Sequence, residues 1–144
     1  MSKEKADYHD ADLALRLYEM RREAVMRESR NAINGKFWPK SYEDVLAVTK
    51  PEHPLNAAFR QTATYWEMVY GIVKHGIVNP DYLLESNGEG MFLFAKIAPY
   101  LEAYRKEISP TAFGNAEWVT RETAAGQRMF GLISARVRKM AEGR

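Results

Sequence analysis

The chain has 144 residues, 46% of them hydrophobic, with 21 lysines and arginines against 19 aspartates and glutamates and no cysteine. That length suits one domain over residues 1–144, the composition excludes a disordered chain, and a net charge of +2 provides no general field for nucleic acid or anionic membrane. Lack of cysteine excludes disulfides, thiolate metal sites and cysteine nucleophiles; we expect a cytoplasmic protein without a membrane span, its residues 1–9 flexible.

Helical periodicity begins at residue 12. Leu13, Leu17, Met20 and Ala24 recur at spacings of four, three and four, which predicts a helix over residues 12–34 that is capped by Asp10 or Asp12 and ended at Asn34-Gly35. Glu23 and Arg27, four residues apart, belong to its charged outer face. After the break at Phe37-Trp38-Pro39, Ser41 and Asp44 mark the start of a short helix over 42–49. The strongest signal covers 55–75, where Leu55, Phe59, Thr62, Trp66, Val69 and Val73 form one stripe and Ala58, Tyr65 and Ile72 a second. Two stripes require neighbours on two sides, so this helix is placed at the centre of the domain, with Gly76 as its stop and His75 facing its last carbonyls.

Asn79-Pro80 opens a short helix over 80–85, and Ser86-Asn87-Gly88-Glu89-Gly90 turns the chain. The next helical pattern, 91–108, contains Pro99, which predicts a kink or two helices meeting there. A last helix is predicted over 115–141, with Gly126, Phe130, Ile133, Val137 and Met140 as its seam. The fold expected is all-α: an antiparallel bundle of about four long helices plus two short connecting helices. Its core should centre on Leu55, Phe59, Trp66, Val69 and Val73, with Phe92, Ile97, Leu101, Phe130, Ile133 and Val137 as partners.

The run from Tyr65-Trp66-Glu67-Met68-Val69-Tyr70-Gly71 to Asn79-Pro80-Asp81, followed by Ile97-Ala98-Pro99-Tyr100-Leu101 and Arg105, resembles a family of bacterial helical proteins of unknown function, over roughly residues 7–122. In that pattern Glu67 is the acidic position, Gly71 the small one and Arg105 the arginine. The resemblance implies an all-helical fold and no activity. Many such proteins look to be preceded by a membrane-spanning segment, and Trp118 stands where a phenylalanine is more usual.

Few residue patterns point to chemistry. His9, His53 and His75 have no metal-binding spacing, so neither metal nor cofactor is expected, and no catalytic residue is assigned. Glu85, Asn87, Glu89 and Gly90 imitate the start of a calcium loop, but Lys96 occupies the position where its last carboxylate belongs. Arg121, Arg128, Arg136 and Lys139 form a basic ridge on one predicted helix; without an aromatic among them, nucleic acid is not the expected partner. Glu67, set among Trp66, Met68, Val69 and Tyr70, requires a partner if buried, and Arg105 is the first choice because a guanidinium binds a carboxylate bidentately.

Two functions follow. The heptad-like seams favour a non-catalytic interaction module, with a protein partner or a second copy of the chain. The alternative is a small-molecule or enzymatic site between the central helix and the Pro99 region, formed by Glu67 and Arg105 and walled by Tyr65, Tyr70, Tyr100 and Tyr104.

Overall fold

The computed structural model describes residues 2–144, and every regular element among them is helical. In chain order the α-helices are α1 (Tyr8–Arg22), α2 (Ala24–Lys36), α3 (Tyr42–Val48), α4 (Asn56–Lys74), α5 (Pro80–Ser86), α6 (Glu89–Ile97), α7 (Leu101–Glu107), α8 (Gly114–Glu122) and α9 (Ala124–Glu142). A single 3₁₀ turn, Ala98–Tyr100, joins α6 to α7 at Pro99, where the missing proline N–H and the ring interrupt the helical ladder. No helix among the described residues is long and apolar enough to cross a membrane.

Local chemistry sets several boundaries where expected. Ser41 Oγ accepts the Asp44 N–H at 3.3 Å to start α3, and Asn79 Oδ1 accepts the Tyr82 N–H at 2.9 Å to start α5, with Pro80 at the first helical position. Gly76 ends α4 in the left-handed region at φ 71°, which lets the Ile77 N–H reach back to Ile72 O at 3.2 Å. The His75 backbone N–H donates to Gly71 O at 3.0 Å in the same cap.

Two long helices are broken where periodicity predicts continuity. Glu23 adopts φ −57° and ψ 140°, which separates α1 from α2, and its carboxylate accepts the Val25 and Met26 N–H groups at 3.2 and 3.1 Å. The residue expected to pair with Arg27 across one turn instead caps a new helix, and the predicted seam stops there: Leu17 is buried, Met20 and Ala24 are exposed. Asp7, rather than Asp10 or Asp12, caps α1, accepting the His9 and Asp10 N–H groups at 3.0 and 3.2 Å. At the other end Thr123 (φ −115°, ψ 141°) divides 115–141 into α8 and α9. Its hydroxyl donates to Val119 O at 2.8 Å and accepts the Gly126 N–H at 2.9 Å, so one side chain closes one helix and opens the next. The basic ridge is divided as well. Arg121 lies on α8, 3.6 Å from Glu117, and only Arg128, Arg136 and Lys139 share α9.

Residues 3–10, of which all but Asp10 were expected to be flexible, are tied to the α5 N-terminus. The Lys3 ammonium reaches both Asp7 and the fully buried Asp10, Asp10 accepts the Asn79 N–H at 2.8 Å, and Asn79 Nδ2 donates to Lys3 O and Glu4 O at 3.0 and 3.1 Å.

Helix α4 is central, packing against α2, α8 and α6, while α9 lies over α8, α6 and α5. Phe59, Trp66, Val69, Val73, Ile97, Leu101 and Val137 are buried as expected; Leu55, Phe130 and Ile133 pack at the core's edge, and Phe92, expected in the core, is half-buried outside it. Phe113 anchors an aromatic cluster, its ring centroid 6.3 Å from Phe59, 6.1 Å from Phe94 and 5.9 Å from Tyr104.

The α8–α9 corner gives the first prediction. A Cβ at Gly126 would stand 2.0 Å from Val119 O, a backbone atom that cannot rotate away, whereas one at Gly131 meets open space. Gly126→Ala should therefore lose about 1–3 kcal/mol or more in urea unfolding, while Gly131→Ala should gain up to about 1 kcal/mol from alanine's helix preference.

Candidate functional site

Helix α8 begins at Phe113, the one non-glycine residue with positive φ among the described residues (57°), whose hydrocarbon side chain cannot accept the free N–H groups of the first turn. Glu67, on α4, provides the acceptors. Its two carboxylate oxygens take the Asn115 N–H at 3.0 Å and the Ala116 N–H at 2.8 Å, and its own carbonyl accepts from Asn115 Nδ2 at 2.9 Å. One turn further along α4, a Cβ at Gly71 would lie 2.8 Å from Asn115 Nδ2, so the small residue makes room for that side chain. The negative charge also sits where the α8 dipole favours it.

Arg105 does not meet Glu67. It donates through Nε to Ala112 O at 2.9 Å and through Nη1 to Glu117 at 3.0 Å, holding the loop before α8 and the first turns of α8. The expected ion pair is thus replaced by two attachments to one helix. Half-buried, Glu67 calls for hydrogen-bond donors, and backbone N–H groups supply them as a guanidinium would.

The four tyrosines do not share one wall. Tyr65 donates to Leu17 O at 2.7 Å and Tyr70 to Asn87 O at 2.9 Å, which turns them toward α1 and the α5–α6 turn; Tyr100 is half-buried in the 3₁₀ turn. Only Tyr104 stands with Glu67, in a recess of about 180 Å³ lined also by Ala63, Thr64, Ala112 and Phe113. Burial raises the Tyr65, Tyr70 and Tyr104 phenols above their usual value, so they remain neutral donors.

The structure also assembles charged groups that periodicity does not reveal. The Arg30 guanidinium binds Glu89 bidentately at 2.7 and 2.8 Å, and the buried Arg21 donates to Asn87 Oδ1 and lies 5.6 Å from the Trp66 ring centroid. Asn87 and Glu89, half of the apparent calcium loop, are consumed by these arginines. Lys96, the residue that spoils that loop, is 4% exposed. Its ammonium donates to Ile33 O at 3.1 Å and Asn34 O at 3.4 Å, capping α2, and stands 3.9 Å from the centroid of Trp38 and 4.7 Å from that of Phe92. Desolvation, with Arg144 nearby, pushes the Lys96 ammonium down to about 7. The sequence signal for this contact was only a lysine in an apolar run.

Residues 6–123 match a family described as a domain of unknown function, DUF4760. The chain belongs to that family. The matched region ends at the residue that turns α8 into α9, so the DUF4760 unit here comprises α1 to α8 and α9 lies outside it. Glu67, Gly71 and Arg105, which carried the resemblance, all converge on α8 within the unit. No curated protein and no solved structure matches the chain.

Two predictions follow from this geometry. In a double-mutant cycle read by urea unfolding, Glu67→Gln and Arg105→Met should be additive within about 0.5 kcal/mol, whereas Arg105→Met and Glu117→Gln should couple; coupling of the first pair alone would contradict the arrangement. For Lys96 the folded state binds its proton less tightly than the unfolded chain, whose lysine value is 10.5. The associated cost is fully present below pH 7 and is relieved as pH rises toward 10.5. Wild-type stability should accordingly rise relative to Lys96→Met between pH 7 and 10, by a few kcal/mol at most. A flat difference would place the ammonium in water.

Proposed function

We propose that the protein is a non-catalytic helical interaction module that self-associates through the outer face of α1. One observation carries this reading. Ten large hydrophobic side chains are exposed among the described residues, and five of them fall between residues 8 and 25: Tyr8 (81% exposed), Leu15 (64%), Tyr18 (49%), Met20 (43%) and Val25 (54%). Tyr8, Ala11, Leu15 and Tyr18 follow the three-four-three spacing of a coiled-coil seam, about a third of a turn from the buried Asp10, Leu17 and Arg21. A soluble domain gains nothing by leaving such a seam in water, and a second helix covers it.

The occupant proposed is the same helix of a second copy, running antiparallel about Leu15. In that orientation the Asp7 end of one α1 meets the Arg22 end of the other and the two dipoles oppose. A reducing compartment, in keeping with a chain without cysteine, is part of the same reading.

A second reading, a small-molecule site at Glu67, draws support from the recess beside Tyr104. Its volume of about 180 Å³ is below the usual range for ligand pockets, and both carboxylate oxygens are already engaged.

Light scattering over a concentration series tests self-association. The wild type should approach the mass of a dimer at high micromolar concentration, and Leu15→Glu, which changes only an exposed position, should hold it at 16.6 kDa. A wild type that stays monomeric throughout overturns the proposal.

A further inference from the structure

A cleft of about 470 Å³ opens between the end of α2, the start of α6 and the second half of α9. Its apolar wall is Phe92, Ile133 and Met140, and Arg136 and Arg144 stand beside it. Neither arginine forms an ion pair among the described residues. The one acidic side chain in the lining, Glu89, is paired by its bidentate bond to Arg30. Behind Phe92 and Asn34, both in the lining, lies the Lys96 ammonium, and the Arg144 guanidinium stands 4.2 Å from the centroid of the Trp38 ring that Lys96 also faces.

Two arginines without an ion pair therefore line this cleft in a chain whose total charge is only +2, next to hydrocarbon walls that sharpen their field. A guanidinium selects a carboxylate, sulfonate or phosphate, and Phe92, Ile133 and Met140 select an apolar body attached to it. The volume is that of an ordinary small-molecule site. We propose that the cleft binds a small anionic amphiphile, its acidic head held by Arg136 and Arg144 and its hydrocarbon or aromatic part laid against Phe92, Ile133 and Met140. The site is independent of the α1 seam. One wall belongs to α9, outside residues 6–123, so the cleft is completed by a helix that the DUF4760 match does not include.

Gly35 provides a test that leaves the fold intact. It lies in the last turn of α2, lines the cleft, and a Cβ built on it meets nothing within 4 Å. Leucine there should fill the opening and, as the better helix former, cost α2 nothing. Octanoate serves as the probe, octan-1-ol as its neutral counterpart, both titrated calorimetrically into the full chain. Octanoate should bind saturably and octan-1-ol at least tenfold more weakly. Arg136→Ala/Arg144→Ala should weaken octanoate at least tenfold, and Gly35→Leu should abolish binding with an unchanged circular dichroism spectrum. Equal binding of the alcohol, retention by Gly35→Leu, or no saturation by 5 mM octanoate (roughly the weak end of specific affinity) overturns the proposal. So does binding to phosphatidylglycerol vesicles without binding of monomeric octanoate, which would make the cationic face a membrane contact.

Discussion

The placement of α8 depends on one carboxylate. A helix that begins at Phe113 has no acceptor of its own for its first N–H groups, and burying them unpaired costs on the order of 1–3 kcal/mol each. Glu67 satisfies two of them from the central helix, across 48 and 49 residues of sequence. Because α8 packs on α4 and α9 packs on α8, this contact orients the two helices that end the described chain. Gly71 and Arg105 act on the same helix, one by leaving space for Asn115 and the other by holding Ala112 and Glu117.

Charge inside this protein is managed largely by amides. Glu67 is met by backbone N–H groups, Lys96 by two carbonyls, Arg21 by the Asn87 side chain and the Ser86 carbonyl, and Asp10 by the Asn79 N–H as well as by Lys3. Amide partners come from helix ends and turns, so each buried charge also fixes where an element begins or stops. Arg30 with Glu89 and Arg105 with Glu117 are the ion pairs that link different elements, and both are partly exposed. In this arrangement charged side chains join helices to one another.

How much of this is legible in the sequence depends on the range of the interaction. The all-helical fold, the break at Pro99, the caps at Ser41 and Asn79 and the stop at Gly76 follow from chemistry within four or five residues, and they are visible. Glu67 is legible as a carboxylate in need of a partner, since apolar neighbours on a helix imply burial. Its actual partner is not, because a backbone N–H has no letter of its own, and the search for a matching side chain leads to Arg105. The breaks at Glu23 and Thr123 escape for a related reason. Periodicity runs through both positions, and only the tertiary fold makes an inward-turned cap better than one more turn of helix. Tyr65 and Tyr70 face away from Glu67 because their hydroxyls found carbonyls on α1 and the α5–α6 turn. The cleft beside Arg136 and Arg144 depends on where α9 comes to lie, which no local pattern fixes.

The corner at Thr123 has a consequence for inheritance. Helix α9 covers Phe94 with Phe130, their centroids 5.4 Å apart, and buries Ala125 and Val137. A relative sharing only the matched region would present that side of α6 and α8 to water, so whatever follows the corner in such a chain has to supply an apolar face of its own. In this chain the cover is α9, and it forms one wall of the groove along α6. The shape of that groove is therefore set by a helix outside the matched region, not by the eight helices beneath it.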